Sequence, residues 1–418
     1  MDEDILSLHQ KCGGKIGTYL KVRLHGNIPY VYSPGVAVVS NAILRDKGLV
    51  SVYTMKSNSV AIVTDGSRVL GLGNIGPHAA LPVMEGKALL FKALADIDAF
   101  PLCLYSQDCD AFIDTVKNIS PSFGGINLED IASPKCFEIE ERLKSELEHG
   151  ETPVLVCHDD QHGTAVVVVA ALRNALKVVN KRLDRVKVVF IGCGAAGCAC
   201  FRLLRASGLN SEQAIVFNDK GTLYDGKPGL LPHESEVAKI TNKEKLDCTL
   251  CSGQAFRYAD VVISLSRPGP GIITPSMLRH MNERPIIFAL AMPTPEIGYW
   301  EAREAGAAIV ATGLPHYPNQ VNDILTMPAI FRGALDVGAS EISDGMLQAV
   351  ADAMSETVHD SELSEWYILP KLGKRVLVAH IAATVANYAS YTQGVKVRRP
   401  MGWDEEYDNV MRRLTPFR

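Results

Sequence analysis

Val186-Lys-Val-Val-Phe-Ile191 and the turn after it, Gly192-Cys-Gly-Ala-Ala-Gly197, decide the fold of this chain. The first stretch is rich in β-branched residues, which is typical of a buried strand. The second is a GxGxxG turn that opens a helical pattern ending at about Ser207, and residues 214–217 then resemble a second strand. A lone GxGxxG is a weak signal, but strand, glycine turn, helix and strand in this order predict a βαβ unit that binds a dinucleotide.

The glycine turn has a physical reason to bind a pyrophosphate. Its glycines permit a tight turn and a close approach to the helix N-terminus, whose unpaired amides attract anions. An acid at the end of the second strand would bind the adenosine ribose, and Asn218-Asp219-Lys220 offers Asp219, with Asn218 in the expected place. This leaves NAD and NADP both open. The residues that we expect around the cofactor here are Gly192, Gly194, Ala195, Ala196, Gly197, Asn218 and Asp219.

Strands and helices keep alternating downstream, which predicts a doubly wound parallel sheet. Further strands are expected at residues 261–264, 286–290 and 308–311, and the loops after such strands face a ligand. Those loops carry Ser266-Arg267, Met292 and Asn322-Asp323.

Acidic pairs follow two buried strands upstream. Glu129-Asp130 comes after residues 124–128, and Asp159-Asp160 comes after residues 154–157. If the two strands are neighbours, four carboxylates surround one point, and their mutual repulsion is relieved by a bound cation. Oxygen ligands of this kind select Mg²⁺ or Mn²⁺. The alternative is two independent helix caps, and we favour the cation by a small margin.

Two further residues have open roles. Lys87 lies in a helical pattern at residues 83–94 and is either a solvated lysine or a buried one whose lowered pKa suits proton transfer. Tyr32 lies between the extended stretch predicted at 29–34 and the helix predicted at 35–44, where a tyrosine usually serves packing. A strand is expected at 50–54, and residues 2–24 suggest an amphipathic segment in need of a partner surface.

Composition limits the classes of function. The 418 residues are 47% hydrophobic and carry a net charge of −5, which gives no general attraction to nucleic acid or to an anionic membrane. The apolar run at 165–172 is too short to span a bilayer, and Met1-Asp-Glu-Asp lacks the basic region of a signal peptide, so we expect a cytoplasmic location. The ten cysteines, Cys248 and Cys251 included, are interpreted as reduced thiols.

Five motifs in order resemble the malic enzyme family in its shorter, bacterial-type form. They are Tyr32-Ser-Pro-Gly-Val36, Asp65-Gly-Ser-Arg-Val-Leu-Gly-Leu-Gly73, Leu81-Pro-Val-Met-Glu-Gly-Lys87, Asn127-Leu-Glu-Asp130 and His158-Asp-Asp-Gln-His-Gly-Thr164. The resemblance implies an N-terminal α/β malic-type domain followed by a Rossmann-like domain that binds NAD or NADP. We place the first domain at 1–150, the second at 151–395 and a C-terminal tail at 396–418.

The resemblance also implies the roles of individual residues. The metal ligands would be Glu129, Asp130 and Asp160, with Asp159 close to Lys87. Lys87 would be the general base, Tyr32 the general acid and Arg68 the clamp on a substrate carboxylate, with Thr164 facing the cofactor. The implied reaction transfers a hydride to the nicotinamide, releases the β-carboxylate as CO₂ and protonates the resulting enolate. The implied assembly is at least a homodimer with active-site contributions near the interface.

Two positions depart from the family pattern. Met292 and Asp323 stand where the family has asparagines that donate hydrogen bonds to the substrate carboxylate, next to Asn322. Methionine donates nothing and an ionised Asp323 repels a carboxylate, so malate binding weakens by several kcal/mol unless another group compensates. Arg267 either supplies that compensation or contacts the cofactor, beside Ser266.

Three hypotheses remain open from the sequence. The protein is a malic enzyme with a rearranged carboxylate pocket, a decarboxylating dehydrogenase for a related β-carboxy 2-hydroxy acid, or a protein of another class. That third class comprises a metal-dependent β-keto acid decarboxylase and a weakly active binding protein. Each of the first two takes a small carboxylic acid as its partner.

Overall fold

Two parallel sheets organise the protein, whose computed structural model describes residues 28–371, 375–392 and 394–414. The first sheet has four strands in the order β2-β1-β3-β4, all parallel. Its strands are β1 (Ser59–Thr64), β2 (Asp98–Cys103), β3 (Gly125–Leu128) and β4 (Leu155–His158). Helices α4 (Gly76–Ala95), α5 (Cys109–Ile119) and α6 (Lys135–Leu147) connect them. Parallel strands require crossover connections of this kind, which are typically right-handed.

The second sheet has six strands in the order β10-β9-β8-β5-β6-β7, and only β7 runs antiparallel. Its strands are β5 (Val188–Ile191), β6 (Ile215–Asn218), β7 (Gly221–Thr222), β8 (Val261–Ser264), β9 (Ile286–Ala289) and β10 (Ile309–Thr312). The chain reverses its direction of progress at β5, which lies between β6 and β8. The doubly wound fold expected from the sequence is therefore confirmed, and its ligand crevice lies beyond the end of β5.

One long helix, α7 (Asp159–Val179), joins the two sheets. It is buried along most of its length, and one core cluster includes side chains from α7, from β1 and from β5. By length and composition it is long and apolar enough to cross a membrane, but 72% of its most apolar window is inside the protein. Its hydrophobicity therefore serves the shared core.

The remaining helices follow α7 along the chain. They are α8 (Ala195–Ala206), α9 (Pro232–Ala238), α10 (Pro275–Leu278), α11 (Tyr299–Glu304), α12 (Met327–Val337), α13 (Asp344–Glu356), α14 (Arg375–Tyr391) and α15 (Trp403–Arg413). In the tail, Trp403 of α15 packs on His380 of α14 and stacks on Tyr407. The tail therefore packs on α14 of the same chain.

Two local expectations were wrong. Residues 50–54 form a helical turn, α3 (Val50–Tyr53), instead of a strand, and residues 29–34 begin with the helical turn α1 (Ile28–Val31) before α2 (Val36–Arg45). The hydroxyl and amide of Thr54 both donate to the Val50 carbonyl, which closes α3. Pro29 lies in the first turn of α1, where its missing N–H leaves no bond unmade.

The domain limits stay a prediction. β4 pairs with β3 in the first sheet although it lies beyond residue 150, where we expect the first domain to end. The amphipathic segment expected at 2–24 lies outside the described residues.

Candidate active site

A cavity of about 900 Å³ lies where the carboxyl ends of both sheets face each other. It is lined by most of the site residues expected from the sequence, from both halves of the chain: Arg68, Lys87, Glu129, Asp130, Asp160, Thr164, Gly194, Ala195, Ala196, Ser266, Met292, Asn322 and Asp323. Asp159 is fully buried behind Lys87. Tyr32, Gly192, Gly197, Asn218, Asp219 and Arg267 are outside the lining.

Lys87 is surrounded by three carboxylates. Its Nζ lies 2.5 Å from Asp159 Oδ2, 3.1 Å from Glu129 Oε1 and 3.5 Å from Asp323 Oδ1. The lysine is only 9% exposed. The structure therefore favours the buried alternative for Lys87 over the solvated one.

The pKa of Lys87 moves opposite to the expected direction. Burial alone lowers the pKa of an ammonium, but Asp159, Asp323 and Glu129 outweigh burial and hold the Lys87 pKa well above its ordinary value. The pKa of Asp159 is also raised, by burial and by the Asp323 carboxylate. Because its pKa is raised, Lys87 rests as an ammonium.

The acidic pair after β3 meets the acidic pair after β4, because the two strands are neighbours in register. The Asp130 amide donates to Asp160 Oδ2 over 2.9 Å, and Asp130 O accepts from the Arg68 amide over 3.0 Å. Asp130 has φ +54°, a left-handed conformation that non-glycine residues rarely adopt. Strained backbone of this kind clusters at functional sites.

These acids have the donor chemistry of a hard-cation site. Burial and the Asp160 carboxylate raise the pKa of Asp130 to about 8, and Asp130 Oδ2 is buried without a hydrogen-bond partner. Burial is also the main cause that raises the pKa of Glu129 to about 8. A divalent cation would relieve this unfavourable burial of carboxylates.

The arrangement is not yet that of a coordination shell. Within residues 28–371, 375–392 and 394–414, no three His, Cys, Asp or Glu side chains already converge as metal ligands. One oxygen of Asp160 is engaged by the Asp130 amide, and Glu129 faces Lys87 and accepts from Asn127 Nδ2 over 2.8 Å. The residues fit a divalent cation by their chemistry and their unpartnered oxygen.

Glu140 on α6 holds the first turn of α7. One of its oxygens accepts from the His158 amide over 3.1 Å and contacts His162 Nε2 at 2.8 Å, and the other accepts from Gln161 Nε2 over 2.8 Å. Burial alone would raise the pKa of Glu140, but His162 and Lys144 hold it well below its ordinary value. A fixed anion at this end also complements the helix dipole.

Gly163 makes room for the carboxylates around Lys87. A Cβ at this position would collide with Asp159 Oδ1 and lie 2.8 Å from Met327 Cγ and 3.0 Å from Asp323 Cβ. Only glycine therefore lets the turn before α12 approach α7 closely enough for Asp323 to reach Lys87.

The dinucleotide turn has the geometry that its glycines predict. Gly192 has φ +106°, and a Cβ there would lie 2.5 Å from the Leu265 carbonyl oxygen. A Cβ at Gly197 would collide with the Gly192 carbonyl oxygen, whereas Gly194 faces open space. Gly192 and Gly197 thus pack the turn against β8 and α8, and Gly194 leaves room for a ligand at the helix N-terminus.

The opposite wall carries the two departures from the family pattern. The Met292 side chain lies over Gly313, where a Cβ would be 2.8 Å from its sulfur. Asn322 Oδ1 accepts from the Ile324 amide over 3.0 Å, which fixes the turn that presents Asp323. Asp323 is turned towards Lys87, so both departures face the cavity.

A buried carboxylate that lies in no recognised sequence motif organises this wall. Glu296 is fully buried and accepts from the Ser264 hydroxyl over 2.7 Å and from the Ser266 amide and hydroxyl, each over 3.1 Å. Its second oxygen accepts from the Ala291 amide over 3.0 Å. Glu296 thereby ties the loops after β8 and β9 together. Glu140, Gly163 and Glu296 could not be selected from the sequence; only Gly163 lies in a quoted motif.

Three groups of expected site residues lie away from the cavity. Tyr32 is 72% exposed at the surface. Asn218 Nδ2 donates to Glu234 Oε1 over 3.0 Å, and the neighbouring Asp219 is exposed. Arg267 is exposed and the structure does not favour either of its two expected roles. The cavity as described contains none of their side chains.

Comparisons with known proteins agree with this architecture. Residues 161–390 match the family model described as the malic enzyme NAD binding domain, and residues 13–107 and 103–144 match the malic enzyme N-terminal domain. A protein of Bacillus subtilis named bifunctional malic/malolactic enzyme is 48% identical over 394 residues, covering 93% of each chain. The NADP-dependent malic enzyme of Halomonas elongata is 41% identical over 389 residues, covering 90% of this chain and 89% of the relative.

A solved structure extends the similarity to three dimensions. The malic enzyme from Pyrococcus horikoshii superposes with a TM-score of 0.91 at 44% sequence identity, covering 98% of this chain and 96% of that one. Both family domains, the parallel sheets and the residues at their facing ends thus coincide in one chain. The protein belongs to the malic enzyme family.

Proposed function

We propose that this protein catalyses the metal-dependent oxidative decarboxylation of malate, or of a closely related β-carboxy 2-hydroxy acid, with NAD or NADP as hydride acceptor. The observation that carries the proposal is the position of Lys87. Its Nζ lies 2.5 Å from Asp159 in a cavity whose opposite wall is the dinucleotide turn. A proton-transfer group and a hydride acceptor can therefore address the same substrate carbon.

Lys87 is the group that takes the hydroxyl proton of the substrate. It performs this step as a neutral amine, so its own proton has to leave first. Asp159 is the nearest acceptor and its raised pKa suits it to hold that proton. The pair acts as a proton relay, in which Asp159 sets the charge of Lys87 without contacting the substrate.

Glu129, Asp130 and Asp160 are the residues that would hold a Mg²⁺ or Mn²⁺ ion. Such an ion, when bound, supplies electrophilic stabilisation of the negative charge that develops as the β-carboxylate leaves. The support is the chemistry of the donor set and the unpartnered Asp130 Oδ2.

Arg68, Met292, Asn322 and Asp323 are the residues that we place around the substrate carboxylates. Arg68 lies on the loop after β1, at the mouth of the cavity, and offers a guanidinium to a carboxylate. Asp323 opposes a carboxylate in its vicinity, but its charge is partly neutralised by the Lys87 ammonium 3.5 Å away. A substrate that is neutral or cationic on the side of Asp323 avoids that repulsion.

Tyr32 is the proposed acid that protonates the product enolate, and we place its action in the cavity of a second subunit. The tyrosine is exposed and lies among exposed apolar side chains of α1 and α2, including Tyr30, Val38 and Leu44. Exposed apolar surface of this kind is typical of an interface. The proposed assembly is a homodimer or a higher homo-oligomer.

The dinucleotide turn would hold the cofactor, because the N-terminus of α8 offers its unpaired amides to a pyrophosphate. Gly192, Gly194, Ala195, Ala196 and Gly197 form that turn, and Thr164 and Ser266 line the cavity on either side of it. Asn218, Asp219 and Arg267 are the residues that we expect to select between NAD and NADP, because they stand nearest the end of β6 and the loop after β8.

A substrate screen tests the proposal. Wild-type protein with Mn²⁺ and either NAD or NADP is assayed on L-malate and on a panel of 2-hydroxy acids by the absorbance of the reduced nicotinamide. Turnover of L-malate at millimolar concentration supports a rearranged malate pocket. Turnover of another acid, with malate activity raised by Met292→Asn and Asp323→Asn together, supports the related-substrate form. Absence of cofactor reduction with every acid would overturn the proposal.

A second candidate is cofactor-independent decarboxylation of a β-keto acid such as oxaloacetate. It is favoured by the carboxylates of Glu129, Asp130 and Asp160, because a divalent cation held there could stabilise an enolate without a nicotinamide. Release of CO₂ from oxaloacetate with Mn²⁺ and no nicotinamide, alongside no reduction of cofactor by any hydroxy acid, would select this candidate.

A further inference from the structure

A second cavity, of about 200 Å³, lies at the opposite edge of the first sheet from the active site. It is lined by residues that precede β1 and β3 and by the start of β4, so it faces the amino ends of these strands. The end of α12 and the segment after α14 close it from the other side. We name it the basal cavity.

Lys56 is the buried cation of the basal cavity. It is 2% exposed, and its Nζ donates to the Phe123 carbonyl oxygen over 2.7 Å. Within the described ranges no carboxylate forms an ion pair with it. Burial, and then the neighbouring charge of Arg398, lower its pKa to about 8. The Lys56 ammonium has two further N–H donors and, among the described residues, no anionic partner. Burying such a group inside a protein is unfavourable.

Two more cations line the same cavity. Arg398 lies against the C-terminus of α12, since a Cβ at Gly338 would be 2.5 Å from its Nε. Lys396 is held through its amide, which donates to the Ser340 hydroxyl over 3.2 Å. Neither side chain forms an ion pair with an acid among the described residues, and burial lowers the pKa of Arg398.

The acids near the cavity do not balance these charges. Glu151 is the acid in the lining, and it lies 2.5 Å from Lys47 Nζ in an exposed ion pair. One buried cation, Lys56, and two exposed ones, Lys396 and Arg398, therefore line a small cavity with one acid that already has a partner. Hydroxyls of Ser51, Ser57 and Thr152 add neutral hydrogen-bonding groups to the wall.

We propose that the basal cavity binds a small dianion, an inorganic phosphate or a short dicarboxylate, between Lys56, Lys396 and Arg398. Such an ion supplies the counter-charge that the three side chains lack. Hydrogen bonds from lysine or arginine to an anion are stronger than hydrogen bonds between neutral groups. A volume of about 200 Å³ holds an ion of this size but not a nucleotide.

The site is separate from the cavity that we assign to catalysis, and α12 connects the two. This helix begins at Met327, directly after the turn that presents Asp323, and ends at Val337 beside Arg398. Its eleven residues span about 16 Å. The proposal does not depend on the proposed reaction, because it concerns charges at the other end of the sheet.

Thermal unfolding with added anions tests the site. The full-length protein is melted in increasing inorganic phosphate or succinate, against sodium chloride at matched ionic strength, because specific binding to the native state raises the midpoint in a saturable way. Phosphate and succinate can also bind at the active site, so Arg398→Gln is compared with Arg399→Gln. Arg399 is the adjacent arginine, which is exposed like Arg398 but is paired with Glu405 at 3.0 Å and lies outside the lining of the basal cavity.

We expect the apparent Kd obtained from the saturable shift to rise at least tenfold in Arg398→Gln. In Arg399→Gln the shift should persist with the wild-type Kd. Lys56→Met removes the uncompensated buried cation, so it should raise the midpoint without anion and abolish the response to it. A response to phosphate alone, or to succinate alone, identifies the source of the ligand. A saturable shift that is equal in wild type and Arg398→Gln, or no saturable shift with either anion, would overturn the proposal.

Discussion

Lys87 rests as an ammonium among three carboxylates, whereas the reaction that we propose uses it as a neutral amine. Two of the carboxylates, Glu129 and Asp159, follow strands β3 and β4 of the first sheet. Lys87 lies on α4, which connects β1 to β2 of the same sheet. The third, Asp323, comes from the second half of the chain and replaces an asparagine of the family pattern. The additional charge makes Lys87 a stronger base that is harder to deprotonate.

Replacing Lys87 by alanine separates proton transfer from cofactor binding. Lys87→Ala should abolish hydride transfer, because no other amine lines that part of the cavity within the described residues. Cofactor affinity, measured by nicotinamide fluorescence, should be unchanged, because the dinucleotide turn lies on the opposite wall. Lys92→Ala, on the same helix but paired with Asp96 and Asp98, serves as the control and should remain active. Activity retained by Lys87→Ala would show that another group is the base.

Removing the charge of Asp323 should move the pH profile of turnover. The neutral amine forms only above the Lys87 pKa, so kcat rises with pH through that value. Asp323→Asn removes a cause that raises this pKa, and the rising limb should shift to lower pH. Asp323→Glu retains the charge and should leave the limb in place. An unmoved limb in Asp323→Asn would mean that the limb does not report Lys87.

The sequence predicted which residues form the site better than it predicted which of them contact each other. Glu129, Asp130, Asp159 and Asp160 could be selected because acids after parallel strands meet at one edge. The contact between Asp323 and Lys87 could not, since it depends on how closely the turn before α12 approaches α7, and that approach requires the absence of a side chain at Gly163. The same contact adds to the effect of Asp159 in raising the pKa of Lys87.

Among the elements, the first turn of α7 carries the chemistry, and α6 keeps it in place through Glu140. Besides Lys144 on its own helix, Glu140 contacts His158, Gln161 and His162, on either side of Asp159 and Asp160. A carboxylate from a neighbouring helix thus sets the orientation of two acids that it does not touch. Glu140 acts as a positioning residue.

Glu140→Gln should lower the free energy of unfolding by about 3 kcal/mol, because it leaves buried partners of a carboxylate without their charge. The folded-state pKa of Glu140 is lowered, so its contribution is present above its unfolded pKa and is lost as the pH falls below it. The difference between wild type and variant, measured by urea unfolding, should therefore shrink on acidification. Glu141→Gln, an exposed neighbour on α6, should change stability little at any pH.

The elements themselves were largely predictable, and the exceptions have a common cause. Strands of both sheets were found because buried β-branched runs end at glycines and acids, as at residues 186–192. The turns α1 and α3 were missed because four-residue helices leave no periodicity in the sequence. Val50 and Val52 favour a strand by propensity, and the local hydrogen bonds of Thr54 outweigh that preference.

On the scale of the whole molecule, the two halves touch across the mouth of the active-site cavity. A Cβ at Gly71, in the loop after β1, would lie 2.5 Å from the Met292 carbonyl oxygen and 2.6 Å from Pro293 Cδ. The loop that carries Arg68 is therefore closed against the loop after β9.

Mixing two inactive variants tests the proposed dimer. Tyr32→Phe and Lys87→Ala should each be inactive, for loss of the acid and of the base. If Tyr32 serves the cavity of its partner, co-refolding equal amounts gives heterodimers with one intact site, and about a quarter of wild-type activity returns by random pairing. Scattering of the same samples measures their mass. No recovered activity in verified heterodimers would place Tyr32 in its own cavity or outside catalysis.

The apolar character of α7 has a consequence for the life of the protein in a cell. The helix that fuses the two cores is the most hydrophobic long segment described, and it is hidden only while both sheets are folded around it. A nascent or partly unfolded chain exposes it and becomes a target for chaperones and a seed for aggregation. Variants that loosen either sheet should therefore lose soluble yield before they lose specific activity.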